Sequence, residues 1–168
     1  TEFSVANSSY AGMVLAYTTV GINQALADYT LTTSYAVPNS AMTVRFIAPP
    51  SGVVEVEAQI SFNSGTGTTG LLAFGLSDNA TFNAVEDYYG QYVEETGRNI
   101  NYKSINHKWV VTGLTAGDTY NYWFGARVSS VSGTPKLQWG GDSANRYQDF
   151  AMKVTALPTA ISNFAVYG

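Results

Sequence analysis

The sequence predicts an all-β domain, an antiparallel sandwich or jelly roll, on three observations. Apolar and polar residues alternate in run after run, Gly, Pro, Asn and Ser cluster between the runs, and no long stretch repeats with a helical period. The cleanest run is Val54–Phe62. Val54, Val56, Ala58, Ile60 and Phe62 share one side, while Glu55, Glu57, Gln59 and Ser61 share the other. A two-residue period sends successive side chains to opposite faces, so one row meets a core. Pro49-Pro50-Ser51-Gly52 ahead of it fixes a turn, because proline locks φ and glycine accepts positive φ.

The elements follow in order. Residues 1–28 read as an arm: Phe3, Val5, Tyr10, Met13, Leu15 and Tyr17 can pack, but Asn7-Ser8-Ser9 and Gly12 break any period. Gln24–Asp28 has room for a single helical turn. Tyr29–Tyr35 alternates and stops at Val37-Pro38-Asn39-Ser40, and Met42–Phe46 alternates into the Pro-Pro corner. Asn63–Gly70 is a glycine-rich loop tip, Leu71–Leu76 a short buried strand, and Tyr88–Val93 a tyrosine-rich one. Asn101–Val111, with a break expected near Asn106, and Thr119–Val128 are successive strands joined by a tight connection through Gly113 and Gly117-Asp118. The second of them carries aromatics on both faces and is expected to be central and covered twice. Lys136–Trp139 and Tyr147–Leu157 complete the strands, and Pro158 opens a short apolar tail. The domain proper is therefore 29–157, with a tail at 158–168.

At 168 residues the chain has room for one domain with a sizeable core. Apolar residues make up 45%, enough to exclude a chain too polar to fold. Charged residues are only 12%, well below the usual share, and 12 tyrosines with many Thr, Ser and Asn fill the gap. Such a surface suits β-proteins outside cells or on virus particles that meet sugars or other proteins. A net charge of −4 and scattered basic residues exclude a nucleic-acid footprint. With no cysteine, stability must come from the core, bound ions or oligomerisation. No stretch approaches the ~20 apolar residues of a membrane-spanning helix, so no membrane insertion is expected. The start at Thr1, without Met or a signal-like segment, fits a processed or excised piece.

Little here supports catalysis. His107 is the sole histidine, and no G-x-S-x-G elbow exists for it to serve, so a surface or packed ring is expected. Glu55/Glu57 and Glu94/Glu95 are carboxylate pairs of the sort glycoside hydrolysis uses, yet their placement favours solvated roles. Asp78, Glu86 and Asp87 gather oxygen ligands for a Ca²⁺ without the regular spacing of a calcium loop, so an ordinary acidic loop ranks first and no cofactor is expected. Asn63–Gly70 lacks the G-K-[ST] of a phosphate loop.

Binding features are richer. Tyr88, Tyr89, Tyr92 and Tyr102 sit near Arg98, Asn99 and Asn101, a set in which rings stack on sugars and polar groups bond hydroxyls. The same tyrosines would serve a core or a subunit contact. Trp139-Gly-Gly-Asp142 with Asn145-Arg146-Tyr147 is a second candidate, because small glycines let a ligand approach the Trp139 ring. Glu55 and Glu57, together with Trp123 and Arg127, are candidates for an oligomer interface, where Arg45 or Arg127 would pair the carboxylates.

The order Tyr29–Tyr35, then Phe46-Ile-Ala-Pro-Pro-Ser-Gly-Val53, then Gly117-Asp118 before an aromatic strand, resembles the C1q/TNF-like jelly roll. Phe150–Leu157 resembles that family's last strand, which pairs beside the first. Ala48–Gly52, Thr112–Asp118 and Tyr147–Phe150 look like the distal domains of bacteriophage tail or head fibres. The aromatic signature of animal C1q domains is largely missing. The resemblance implies a homotrimer, part of a virion, that works as a non-enzymatic fibre adhesin binding a host-surface glycan or receptor alongside other virion proteins. A structural virion part, a capsid decoration or head-fibre subunit docking through residues 1–28, is the alternative. A glycan-cleaving depolymerase ranks third.

Overall fold

The computed structural model describes residues 11–65, 70–82, 90–95, 102–131 and 133–158. The described chain has ten strands: β1 (Val14–Val20), β2 (Ala27–Thr30), β3 (Thr43–Ile47), β4 (Val54–Asn63), β5 (Leu71–Ser77), β6 (Gln91–Glu95), β7 (Tyr102–Val111), β8 (Thr119–Val128), β9 (Lys136–Trp139) and β10 (Phe150–Ala156). No helix occurs among the described residues.

Two pairs of strands act as one each. β7 runs along one edge of β4 from Val54 to Asn63. The other edge is shared end to end: β10 covers Val54–Gln59 and β9 covers Ser61–Asn63. β9 and β10 are thus one strand with residues 140–149 looped out. Beyond them β1 pairs Val20 with Phe150, and β2 pairs Ala27 with Trp139, so β1–β2 is likewise one strand broken at 21–26. Counting each broken strand once, the first sheet reads β1/β2, β9/β10, β4, β7, and the second reads β3, β8, β5, β6. That alternation of four strands with four is a jelly roll.

The inner row of β4 (Val54, Val56, Ala58, Ile60, Phe62) is fully buried against Leu72, Phe74, Leu76, Phe124, Ala126 and Val128 of the opposite sheet. Phe124 meets Phe74 edge-on at 4.9 Å and Phe150 at 5.3 Å, which stitches the layers together. The Pro-Pro corner that leads into β4 docks on the β7–β8 connection. Ala48 N donates to Asp118 O at 2.8 Å, Gly117 N to Ala48 O at 3.0 Å, and Leu114 N to Gly52 O at 3.1 Å. Gly52 has φ +64°, and a Cβ there would strike the Leu114 carbonyl, so only glycine fits.

The expected arm differs from what the structure shows. Val14–Val20 is a strand in the first sheet, paired with β10, where an unpaired arm extending to Asp28 was expected. Its inner row is Ala16, Thr18 and Val20, too weakly apolar to stand out in sequence. The helical turn expected at Gln24–Asp28 is a tight turn, Gln24 N to Gly21 O at 3.0 Å, that runs into β2. The strand expected at Tyr29–Tyr35 stops at Thr30, because the chain crosses there to the second sheet and Ala36 bridges Ala126. β7 is unbroken at Asn106. The tail beyond Pro158 lies outside the described residues.

β8 is central and covered on both faces. Its outer face carries Gly125, on which the Phe82 ring lies, and Phe82 in turn stacks on Tyr35 at 5.4 Å. A methyl at Gly125 would occupy the space of the Phe82 ring. Gly125→Ala should therefore cost about 1–3 kcal/mol as an overpacking change. The check is a lowered urea midpoint with an unchanged denaturant slope.

Candidate ligand-binding face

The outer face of the first sheet carries the candidate site. Register sets Lys108, Glu57, Lys153 and Tyr17 side by side in one row, and Asn106, Gln59, Ala151 and Thr19 in the next. Each comes from a different strand, and each points outward because its neighbours in the chain fill the core. Glu57 sits at the centre. Lys153 Nζ lies 2.8 Å from its Oε2, and Asn106 Nδ2 donates to Oε1 at 2.6 Å. Those two hydrogen bonds hold the Glu57 carboxyl below the usual carboxylate range, with the Lys153 bond the larger cause. Lys108 Nζ bonds Glu55 at 2.9 Å and reaches Glu57 at 3.7 Å. The two carboxylates are matched by two ammonium groups.

One end of this shelf is walled. The 140–149 insert folds back over the sheet: Tyr147 stacks on Tyr102 at 5.7 Å, and Gln148 accepts a hydrogen bond from Ser104. Its cover explains why Ser61 and Gln138, on the outward row, are buried. At the opposite corner Tyr17 stands 61% exposed on the edge strand. Tyr17, Glu57, Gln59, Ala151 and Lys153 enclose a hollow of about 100 Å³. A larger hollow of about 750 Å³ lies beside Ile47, Pro49 and Pro50 on the edge of the second sheet, with Arg45 and Thr119 as the polar side chains among its lining residues.

The structure separates the residues that sequence grouped. Tyr88, Tyr89 and Arg98 lie outside the described residues. Tyr92 is on the second sheet, where its hydroxyl accepts from Arg127 Nη2 at 3.2 Å, while Tyr102 is on the first. Trp139, expected to be approachable by a ligand, is a core residue with 2% exposure, because its strand position points inward. Arg146 lies on the insert, paired to Asp149 at 2.9 Å. Asp78 is exposed; Glu86 and Asp87 fall outside the described residues, among which no cluster of three His, Asp or Glu ligands occurs.

The expected interface residues also divide. Glu55 and Glu57 face out from one sheet, Trp123 and Arg127 from the other. The carboxylates are paired by Lys108 and Lys153, not by Arg45 or Arg127 as the sequence suggested. Arg127 lies between the Tyr35 and Tyr92 rings, its guanidinium carbon 5.0 and 5.6 Å from their centroids. Tyr17, Gln59, Asn106 and Lys153 were missed as a group. The signal was there in the polar rows of Val54–Phe62 and Phe150–Ala156, but which rows adjoin is not written in either.

No protein-family profile matches the sequence, and no curated protein matches it. Among solved structures, the CBM22-1 xylan-binding domain from Paenibacillus barcinonensis Xyn10C aligns at 9% identity with a TM-score of 0.38, covering 90% of this chain and 99% of that chain. The fold stands on the strand order described above.

His107 is a packed residue. It faces inward opposite Ala58, with its ring 4.6 Å from Trp109 and Nε2 2.8 Å from Gln91 Oε1 on the other sheet, so it ties β7 to β6. Burial lowers its pKa below 6.5. The unfolded chain then takes up the proton first, so the stability this neutral ring supports is present above pH 6.5 and is lost as pH falls through that value toward the folded-state pKa. Thermal midpoints should drop from about pH 7.5 to about pH 5.5, and His107→Gln should flatten that drop.

Proposed function

We propose that this chain is a non-enzymatic binding module that takes an uncharged glycan on the shelf around Glu57. The observation that carries the reading is the fixed polar array beside an exposed ring: Glu57 held by Lys153 and Asn106, next to Gln59 and Tyr17. Side chains already held by neighbours lose little freedom when they bond sugar hydroxyls, and a tyrosine ring offers stacking area at low entropy cost. Paired ammonium and carboxylate groups cancel one another, which favours a neutral ligand. Hydrolysis by two carboxyls needs one kept protonated. The Lys153 hydrogen bond pushes Glu57 the other way.

We further place the module on a virus particle as a homotrimeric attachment domain, the role that the sequence resemblance implies. Glu55 and Glu57 could meet Trp123 and Arg127 of a second copy only in a head-to-tail contact, since they lie on opposite faces. Such a contact would cover the shelf, so the glycan reading assigns Glu57 to the ligand and leaves the shelf outside the trimer contact.

On an array of neutral glycans the protein should bind a restricted set. Tyr17→Ala and Gln59→Ala should each weaken that binding about tenfold, or about 1.4 kcal/mol, with an unchanged circular dichroism spectrum. An array with no neutral ligand would overturn the reading. Light scattering at micromolar concentration should give a trimer, and a monomer would remove the trimeric part.

A further inference from the structure

Both broken strands are interrupted at the same register. Insert 21–26 leaves the edge strand between Val20 and Ala27, and insert 140–149 leaves its neighbour between Trp139 and Phe150, the residues that pair with those two. All four flanking side chains point toward the core, so the extra chain emerges on the opposite side. Tyr147 and Gln148, lying over β7, show this directly.

The two inserts are locked to each other. Gly141 N donates to Gln24 O at 3.0 Å, and Gly141 and Arg146 bridge to close a small hairpin. Gly141 has φ +122°, and a Cβ there would strike the Asn145 carbonyl, so the hairpin closes only with glycine. Asp142 Oδ1 accepts from Ala144 N at 2.8 Å and Asn145 N at 3.0 Å, which fixes the tip. Between the inserts lies an open cleft of about 720 Å³, lined by the polar residues Asn23, Gln24, Ser143 and Asn145 and by the apolar Ala25 and Leu26. The Arg146–Asp149 pair leaves Asp142 as the remaining charge at its wall.

The cleft adjoins the shelf. Thr19 and Ala151, the last shelf row on these two strands, are four and five residues from Asn23 and Arg146, which line the cleft. From Tyr17 to Gly21 the edge strand advances about 14 Å at ~3.4 Å per residue, which exceeds a single sugar ring. A preorganised polar shelf in line with a cleft that offers both amide groups and apolar surface suits a ligand that is itself a chain of repeating units with hydroxyls and apolar ring faces.

Resting on the glycan reading of the shelf, we propose that the cleft between the inserts is a second subsite, and that the ligand is a neutral oligosaccharide chain spanning shelf and cleft. The test is calorimetry with neutral xylo-, manno-, cello- and chito-oligosaccharides of one to six units. The expected result is an affinity that rises at least tenfold with length in the recognised series. Asn23→Gly, which removes the amide yet suits that residue's φ of 56°, combined with Asn145→Ala, should abolish the rise and leave the shortest bound member unaffected. Tyr17→Ala should weaken short and long members alike. Binding with no gain from length, or a gain that survives the double variant, overturns the second subsite and leaves the shelf reading standing. Failure to bind every member of every series overturns both.

Discussion

β4 is hydrogen-bonded along both edges, and the rest of the molecule depends on that. Its inner row supplies the centre of one core wall with every residue fully buried. Its edges fix β7 on one side and the tandem β10 and β9 on the other. Through β10 and β9 it also positions β1 and β2, and so the whole first sheet. The Pro-Pro corner ahead of it is bonded to the Gly117-Asp118 turn, which sets where β8 begins in the opposite sheet. A register slip by one residue in β4 would turn Glu55 and Glu57 into the core, a cost no compensating contact could meet.

The outer row of the same strand sets up the site. Because β4 is central, its polar residues are flanked by polar residues from both neighbours, and each can be held by one of them. Glu57 is the clearest case, with a lysine from β10 and an asparagine from β7 on its two oxygens. A lone carboxylate on an edge strand would have water on one side and would sample several rotamers. The binding shelf is a consequence of strand order as much as of residue type.

The inserts show how a regular sheet acquires an irregular wall. Two adjacent strands are broken opposite each other, so each break faces the other's break across their shared edge. The looped-out segments satisfy one another through Gly141 and Gln24 and then cover Ser61 and Gln138, which would otherwise be ordinary surface. The second sheet is covered differently, by the Phe82 ring lying over Gly125 and the Tyr35 ring stacked on Phe82. The two outer faces therefore differ in kind, one polar and walled, the other overlaid by aromatics.

The features legible in the sequence were local. The alternation in Val54–Phe62, the stiff Pro49–Gly52 corner, the glycine-punctuated link to Thr119–Val128 and the inner row of Phe150–Ala156 all follow from period-two patterning and turn chemistry within a few residues. β1 escaped this reading because Ala16 and Thr18 make a weak inner row, and Trp139 was misjudged because flanking glycines say nothing of which way a ring points. Which polar rows lie side by side is a property of the folded sheet. Tyr17, Glu57, Asn106 and Lys153 come from strands far apart in the chain, and hydrogen-bonding register across the sheet, which no local pattern encodes, brings them together. The cleft has the same origin: each insert alone reads as a loop, and their meeting depends on two strands being neighbours.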